Sequence, residues 1–391
     1  MLRPGITISH ARNQPATLSA VRSDVCGFIG IVPPSRWPRG SRRGDFIEMS
    51  ATDWPGFVGR KASGFVDPVT KGAVQKFFEN GGESCFVFAM CITGAEDLTD
   101  SEEFRQVFAG LRDRLRGEED VGLLVMPSLA YLPARTGTKV EVLAEAAIEQ
   151  LLEHCREMNN RFLIIDAPQE FEEESLARWV AAFRERRPEL ASFGALYFPW
   201  LMNGDEFFPP SGSVAGAYAR VELEHAPMGV RWPPANIELR GCTHPALSVR
   251  WRSTDRLAAA GVNPLLTQPG RGVVIWGART LSDDPKWRYI NSRRIVSYVT
   301  EQLRRDSEWV VFEHQRPALW KIVSRMVRTR LDSFGRAGLL TGEEPGLDYL
   351  VQCDAELNPP EVRDAGQLHV RVLMRPISTA EFIEVELRLG A

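Results

Sequence analysis

Two textures alternate along the first half of this chain. Continuous apolar runs of strand length occur at "VCGFIGIV" (Val25 to Val32), "SCFVFAMCI", "VGLLVMP", "RFLIIDAP" and "FGALYFPWL". Between them lie segments whose apolar positions recur every three to four residues. The first is short, from Ala73 to Phe78, and stops at Gly81 and Gly82; "LTDSEEFRQVFAGLRDRL", "KVEVLAEAAIEQLLEHCREMN" and "EEESLARWVAAFRERRP" follow. The first texture predicts strands buried on both faces and the second amphipathic helices, so their alternation predicts an α/β unit with helices on either side of a sheet.

From Asn203 to Gln268 the pattern turns to Pro, Gly and short strands, which predicts a long irregular segment. Order then returns. "GVVIWGARTL" predicts a strand, and "DDPKWRYINSRRIVSYVTEQLRRD" a helix opened by Asp283, Asp284 and Pro285. "WVVFEHQ" predicts a strand, the stretch from Pro317 a helix, and "LDYLVQCD" a strand. Last come "QLHVRVLMRP", with Leu368, Val370, Val372 and Met374 alternating, and "STAEFIEVELRLGA", with Ile383, Val385, Leu387 and Leu389 on one side and Glu384, Glu386 and Arg388 on the other. This final strand has no later segment to pair with, and an unpaired edge is an aggregation hazard. At the other end, Ile6 and Ile8 form a short alternating piece followed by a polar, Pro-interrupted tether from His10 to Asp24.

Composition narrows the function classes. With 391 residues, 44% hydrophobic and 25% charged, the chain can bury a sizeable core and falls far from the signature of disorder. A net charge of -4 argues against a whole-surface nucleic-acid binder. The six cysteines are spread out without a C-x-x-C and sit mostly in apolar runs, which suggests buried thiols in a reducing compartment. No signal-peptide pattern and no membrane-length apolar run is read, so cytoplasmic synthesis without membrane insertion is expected.

Enzyme signatures are not met. Gly270 and Gly272 precede a strand instead of following one, and the third glycine of a dinucleotide fingerprint would fall at Ile275. "PSGSVAG" carries Ser211, not Gly, two residues before Ser213, so it is no nucleophile elbow and reads as a loop turn. His154 and Cys155 are adjacent on a helix and point in different directions. Glu172 to Glu174 and Asp283–Asp284 read as helix starts, where the dipole favours acids. No P-loop or zinc spacing appears, so no catalytic, cofactor-binding or metal residue is assigned.

Several blocks together resemble the contractile tail sheath family. These are "VAGAYARVELEHAPMGVRWPPANIEL" and "GRGVVIWGARTLSDDPKWRYINSRRI", with "AVQKFFENGGESCFVF" and "ALYFPWL" before them and "VFEHQRPALW" and "AEFIEVEL" after. The match departs at His314 and Gln315, where the family has Pro and Asn. The resemblance implies an α/β, mixed-sheet core of two packed subdomains with extended amino- and carboxy-terminal β-arms that pair with neighbouring subunits. The expected division is an amino-terminal arm and linker over 1–23, an amino-terminal and middle α/β domain over 24–265, a carboxy-terminal domain over 266–375 and an arm strand over 376–391. It further implies six-fold rings of the chain stacked helically round an inner tube protein, joined to baseplate and cap proteins, in a phage tail, bacteriocin or injection system.

On this reading Ile6, Ile8, Ile383, Val385, Leu387 and Leu389 are the exchanged strands, and Leu368, Val370 and Val372 belong to the acceptor sheet. In the helix after Pro317, Leu319, Ile322, Val323, Met326 and Leu331 are expected on one face. Lys321, Arg325 and Arg328 gather on the other and form a candidate contact for an acidic tube. Two rival readings remain at this point: a baseplate or cap component using the same fold, and an α/β enzyme whose site is dispersed.

Overall fold

Apolar strands that lack alternation need cover on both faces, and a computed structural model shows how this chain provides it. It describes residues 21–92, 102–131, 139–169, 172–313, 316–341, 348–377 and 383–389. The early elements are β1 (Val25–Val32), β2 (Phe46–Ala51), α1 (Trp54–Gly59), α2 (Pro68–Glu79), β3 (Cys85–Cys91), α3 (Glu102–Gly117) and β4 (Val121–Val125). Next come α4 (Lys139–Met158), β5 (Phe162–Asp166), α5 (Glu173–Arg186), β6 (Gly194–Phe198), β7 (Leu201–Asn203), β8 (Glu206–Phe208) and α6 (Ser211–Glu224). Then follow β9 (Ile237–Glu238), β10 (His244–Pro245), α7 (Trp251–Ala260), β11 (Val262–Gln268) and β12 (Gly272–Ile275). The chain closes with α8 (Ile290–Asp306), α9 (Pro317–Arg336), β13 (Tyr349–Gln352), α10 (Pro360–Asp364), β14 (Leu368–Met374) and β15 (Ile383–Leu389).

Nine strands form one mixed sheet in the order β2-β3-β1-β4-β5-β6-β11-β12-β9. The middle strands from β3 to β11 run parallel, and antiparallel strands flank them at both ends. Successive residues serve opposite cores. Leu163 and Ile165 of β5 pack with Phe108, Leu151 and Phe183 from α3, α4 and α5, while Phe162 and Ile164 pack with Phe77 of α2 and Tyr218 of α6. A shorter sheet, β10-β7-β8, sits apart.

Three local readings of the sequence need correction here. α2 begins at Pro68, earlier than its apolar spacing predicts, because the Asp67 carboxylate accepts from Thr70 N–H at 2.8 Å and caps the first turn. β2 forms in a stretch where no element is expected, paired antiparallel with β3. The segment over 203–268 holds α6, α7 and β11, where irregular chain is expected. The "SGSVAG" piece of α6 looks like a turn because its residues are small, and they are small because two backbones meet there. A Cβ on Gly212 would lie 2.3 Å from Ala73 O, and one on Gly216 2.3 Å from Phe77 O, so α6 packs directly on the backbone of α2.

The final third also departs from the pattern in two places. α8 starts at Ile290 and not at the acids, because the Asp284 carboxylate accepts from Lys286 N–H at 2.9 Å in a local turn and Tyr289 bridges Arg279 in antiparallel fashion. The stretch predicted as the strand "WVVFEHQ" instead holds a 3-10 turn over Glu308–Phe312, with Val310 N–H donating to Ser307 O and Val310 buried, while His314 and Gln315 lie outside the described residues. β13, β14 and β15 form an antiparallel sheet of their own, and α8, α9 and that sheet share a separate apolar core. Residues 265 and 266, where a domain division is expected, are neighbours inside β11 of the large sheet.

Candidate assembly site in the C-terminal sheet

β14 and β15 alternate strictly, and the fold uses that alternation. Their ladder pairs Leu368 with Leu389, Val370 with Leu387, Val372 with Val385 and Met374 with Ile383, all buried. Burial of a side chain of this size contributes roughly 1.5–3 kcal/mol against leaving it in water. The predicted donor residues Ile383, Val385, Leu387 and Leu389 therefore meet the predicted acceptor residues Leu368, Val370 and Val372 on one face. The expectation that the last strand lacks a partner in its own chain is corrected: β14, which precedes it, pairs along its whole length. β15 remains an edge strand of the sheet. Ile6 and Ile8 lie outside the described residues.

The amino-terminal tether, expected to run as far as Asp24, is tied down from Val21 onward. Val21 is buried in the C-terminal core, and its N–H donates to Gln302 Oε1 of α8 at 3.1 Å. Ser23 O accepts from Arg294 at 2.8 Å, and the Ser23 hydroxyl donates to Glu222 Oε2 of α6 at 2.5 Å. Arg294 and Glu222, both buried, form an ion pair. Burial still dominates Glu222 and pushes its carboxyl above the usual range, with Arg294 opposing. Gln302 in turn donates to Asp306, which holds Arg330 of α9 at 2.9 Å. One network thus links Val21 and Ser23, α6 of the central unit, α8 and α9.

α8 is the element on which both units converge. Its Arg293 lies between the Phe193 and Trp287 rings at 4.5 and 4.3 Å and donates to Asn159 at the end of α4. With no carboxylate beside it, burial lowers its pKa to about 9. Sequence reasoning missed Arg293, Arg294 and Gln302. The available signal was two arginines set among Ile290, Ile295, Val296 and Val299 on a helix that is otherwise apolar at those positions.

α9 presents the predicted cations at the surface. Lys321, Arg325 and Arg328 are exposed, while Leu319, Trp320, Val323, Val327, Leu331 and Phe334 are buried. Ile322, expected on the apolar face, is instead 55% exposed beside Lys321 and Arg325. Arg328 is partly engaged, donating to Val351 O of β13 at 3.1 Å.

Most reactive groups outside this site are buried in the core. Arg161 donates to His154 Nε2, whose pKa falls to about 3 through burial first and Arg161 second, and burial pushes the neighbouring Cys155 thiol up to about 12. All six cysteines are free. Ser213 sits inside α6 with an unpartnered hydroxyl. Asp166, at the end of β5, is pushed from 3.8 up to about 7 by burial, which its bond from Ser211 N–H at 2.7 Å only partly offsets. Among the described residues no group of three or more His, Cys, Asp or Glu could hold a metal ion, and no helix is long and apolar enough to cross a membrane.

Comparison with known proteins gives this geometry a context. Residues 116–281 match the phage tail sheath protein central domain, and residues 282–390 match the phage tail sheath C-terminal domain. A protein named as a prophage major tail sheath protein of Pseudomonas aeruginosa (strain UCBPP-PA14) is 22% identical over 242 residues, 61% of this chain, and the match spans 60% of that relative's length. The fold is similar to a chain of the anti-feeding prophage baseplate, with a TM-score of 0.71 and 22% identity, covering 99% of each chain. It is equally similar to the sheath complex of an extracellular contractile injection system in its contracted state, with a TM-score of 0.71 and 23% identity over 99% of this chain and 97% of that one. With family matches running from residue 116 to residue 390 and the fold shared along the whole chain, this protein belongs to the phage tail sheath family.

Proposed function

We propose that this chain is the repeating subunit of a contractile sheath, a structural protein that polymerises round an inner tube and shortens to drive the tube through a target envelope. The observation that carries the reading is the β14–β15 ladder: a complete strand-in-sheet contact in which β15 lies at the sheet edge. A ladder of that kind is satisfied equally well by the last strand of another copy. Each bond then contributes about 0.5–1.5 kcal/mol net, and donation to a different subunit is head-to-tail, so it propagates. Ile6 and Ile8 would supply the second exchanged strand, pulling on a root fixed at Val21 to Asp24.

In the assembled particle the chains form six-fold rings, and exposed Lys321, Arg325 and Arg328 of α9 face an acidic tube protein. Baseplate and cap proteins close the two ends. Synthesis and assembly take place in bacterial cytoplasm, with no catalytic step, nucleic acid or cofactor required of this chain. A second reading, a baseplate component, is favoured by the similarity to a chain of the anti-feeding prophage baseplate. Negative-stain microscopy of the purified full chain and of a chain ending at Ser378 separates them. The sheath reading expects rods or stacked rings from the first and only small species from the second; normal tubes from the shortened chain would refute the role of β15.

A further inference from the structure

Three side chains from two packed bodies bring polar atoms without hydrogen-bond partners to one cavity. Asn160 and Arg161 lie between α4 and β5, and Ser297 lies on α8; all three line a cavity of about 10 Å³ where the nine-stranded unit meets α8, with Val21, Ser23 and Phe162 among its other walls. Arg161 is 1% exposed. Its Nη2 donates to Leu115 O at 2.5 Å and to Glu118 O at 2.8 Å, and its Nη1 to His154 Nε2, while its Nε–H has no partner among the described residues. Asn160 donates through Nδ2 to Glu119 O at 3.5 Å and leaves its buried Oδ1 unmatched. Ser297 adds an independent sign. A hydroxyl on a helix can bond back to the carbonyl four residues earlier, as Thr300 does to Val296 O and Ser307, at the end of α8, does to Leu303 O, both at 2.7 Å. The Ser297 hydroxyl is buried and makes no such bond.

Each buried polar atom left unmatched costs its desolvation, and such atoms are as a rule matched by protein or by ordered water. We propose that this cavity is a binding site for one water molecule, which bridges Asn160 and Arg161 of the nine-stranded unit to Ser297 of α8. The donors and acceptors select water. One molecule accepts from Arg161 Nε–H, donates to Asn160 Oδ1 and shares a third bond with the Ser297 hydroxyl, and three bonds are typical of a buried water. A space of roughly 10–15 Å³ is what one water needs, and the cavity supplies about that much. A small anion would suit the guanidiniums of Arg161 and Arg294 in the lining but would be turned against Asn160 Oδ1, and a cation would be repelled by both arginines. Beside the Arg294–Glu222 ion pair, the contact between the two units therefore runs through solvent.

Crystals of the full chain grown with sodium bromide, and others grown without halide, test the site directly at a resolution that shows waters. The proposal predicts one peak within hydrogen-bond distance of Arg161 Nε, Asn160 Oδ1 and Ser297 Oγ in both, with no bromine anomalous signal. An anomalous peak there makes the ligand an anion, and a cavity without density is dry; either result overturns the site. Denaturant unfolding of Ser297→Ala, Asn160→Ala and the double variant tests the bridge in solution. Each truncation alone removes one partner of the water and lowers the folded-to-unfolded ratio by roughly threefold to tenfold. No direct hydrogen bond joins Asn160 Oδ1 to the Ser297 hydroxyl. If both act through one water, the double variant loses less than the product of the two single losses, by about twofold or more. Losses that simply multiply overturn the bridge.

Discussion

In the nine-stranded sheet the middle strands have neighbours on both sides and helices on both faces, whereas the C-terminal sheet is covered on one face and ends at β15. The difference separates two jobs. Backbone and apolar surface are satisfied internally in the first sheet, so it suits a rigid body. The second keeps an edge and a charged outer face, so it suits contact with other copies. α8 joins the two and also holds the chain at Val21 and Ser23, which places the junction of the two sheets on one buried helix.

The contrast can be broken at the junction first. Arg294→Met leaves Glu222 buried without its partner, and a loss of about 3–5 kcal/mol in denaturant unfolding is expected. Because burial already raises the Glu222 carboxyl pKa, protonation relieves the lone charge, so the loss is smaller at pH 5 than at pH 8. An equal loss at both would show that the ion pair is not what holds the units together. Next comes the interior of the rigid body. Gly216→Val presses a side chain on the Phe77 carbonyl and should cost about 1–3 kcal/mol or more through overpacking, with thermal unfolding as the readout and no direct disturbance of β14 and β15.

A smaller effect is expected at Asp166. Its folded pKa of about 7 lies above the ordinary 3.8, so its favourable contribution is complete below 3.8 and is lost as pH rises through about 7. Asp166→Asn keeps an acceptor for Ser211 N–H and should raise the melting temperature at pH 8 while leaving pH 4 unchanged; the same gain at both pH values would contradict the assignment. The smallest effect on folding belongs to the surface of α9. Lys321→Glu with Arg325→Glu should move stability by less than about 0.5 kcal/mol and yet abolish co-sedimentation with tube protein at low salt. Retained tube binding would remove these cations from the proposed contact.

What the sequence made legible follows from which interactions are local. The apolar runs of β1, β3, β4, β5 and β6 report double-sided burial directly, and the alternation of β14 and β15 reports a half-buried sheet. α6 was not legible, because Gly212 and Gly216 answer to the backbone of α2, more than a hundred positions earlier. The 3-10 turn at Glu308–Phe312 was not legible either, since a short apolar run fits a strand, and only the structure shows that among the described residues it pairs with none. The alternation of β14 and β15 marked two half-buried strands, and the family resemblance supplied their expected roles as acceptor and donor, but their pairing within one chain was not legible. The arm root escaped notice for a similar reason: Ser23, Glu222 and Arg294 have nothing in common along the chain and meet only in three dimensions.

Strand exchange itself is tested most directly by a covalent trap across the β14–β15 ladder. Leu373 and Glu384 are register partners on the outward face, so a chain with Leu373→Cys and Glu384→Cys can be oxidised after assembly and run on a denaturing gel without reductant. Exchange between copies predicts a ladder of covalent multimers from assembled polymer. An assembled polymer that yields only internally cross-linked monomer would contradict it.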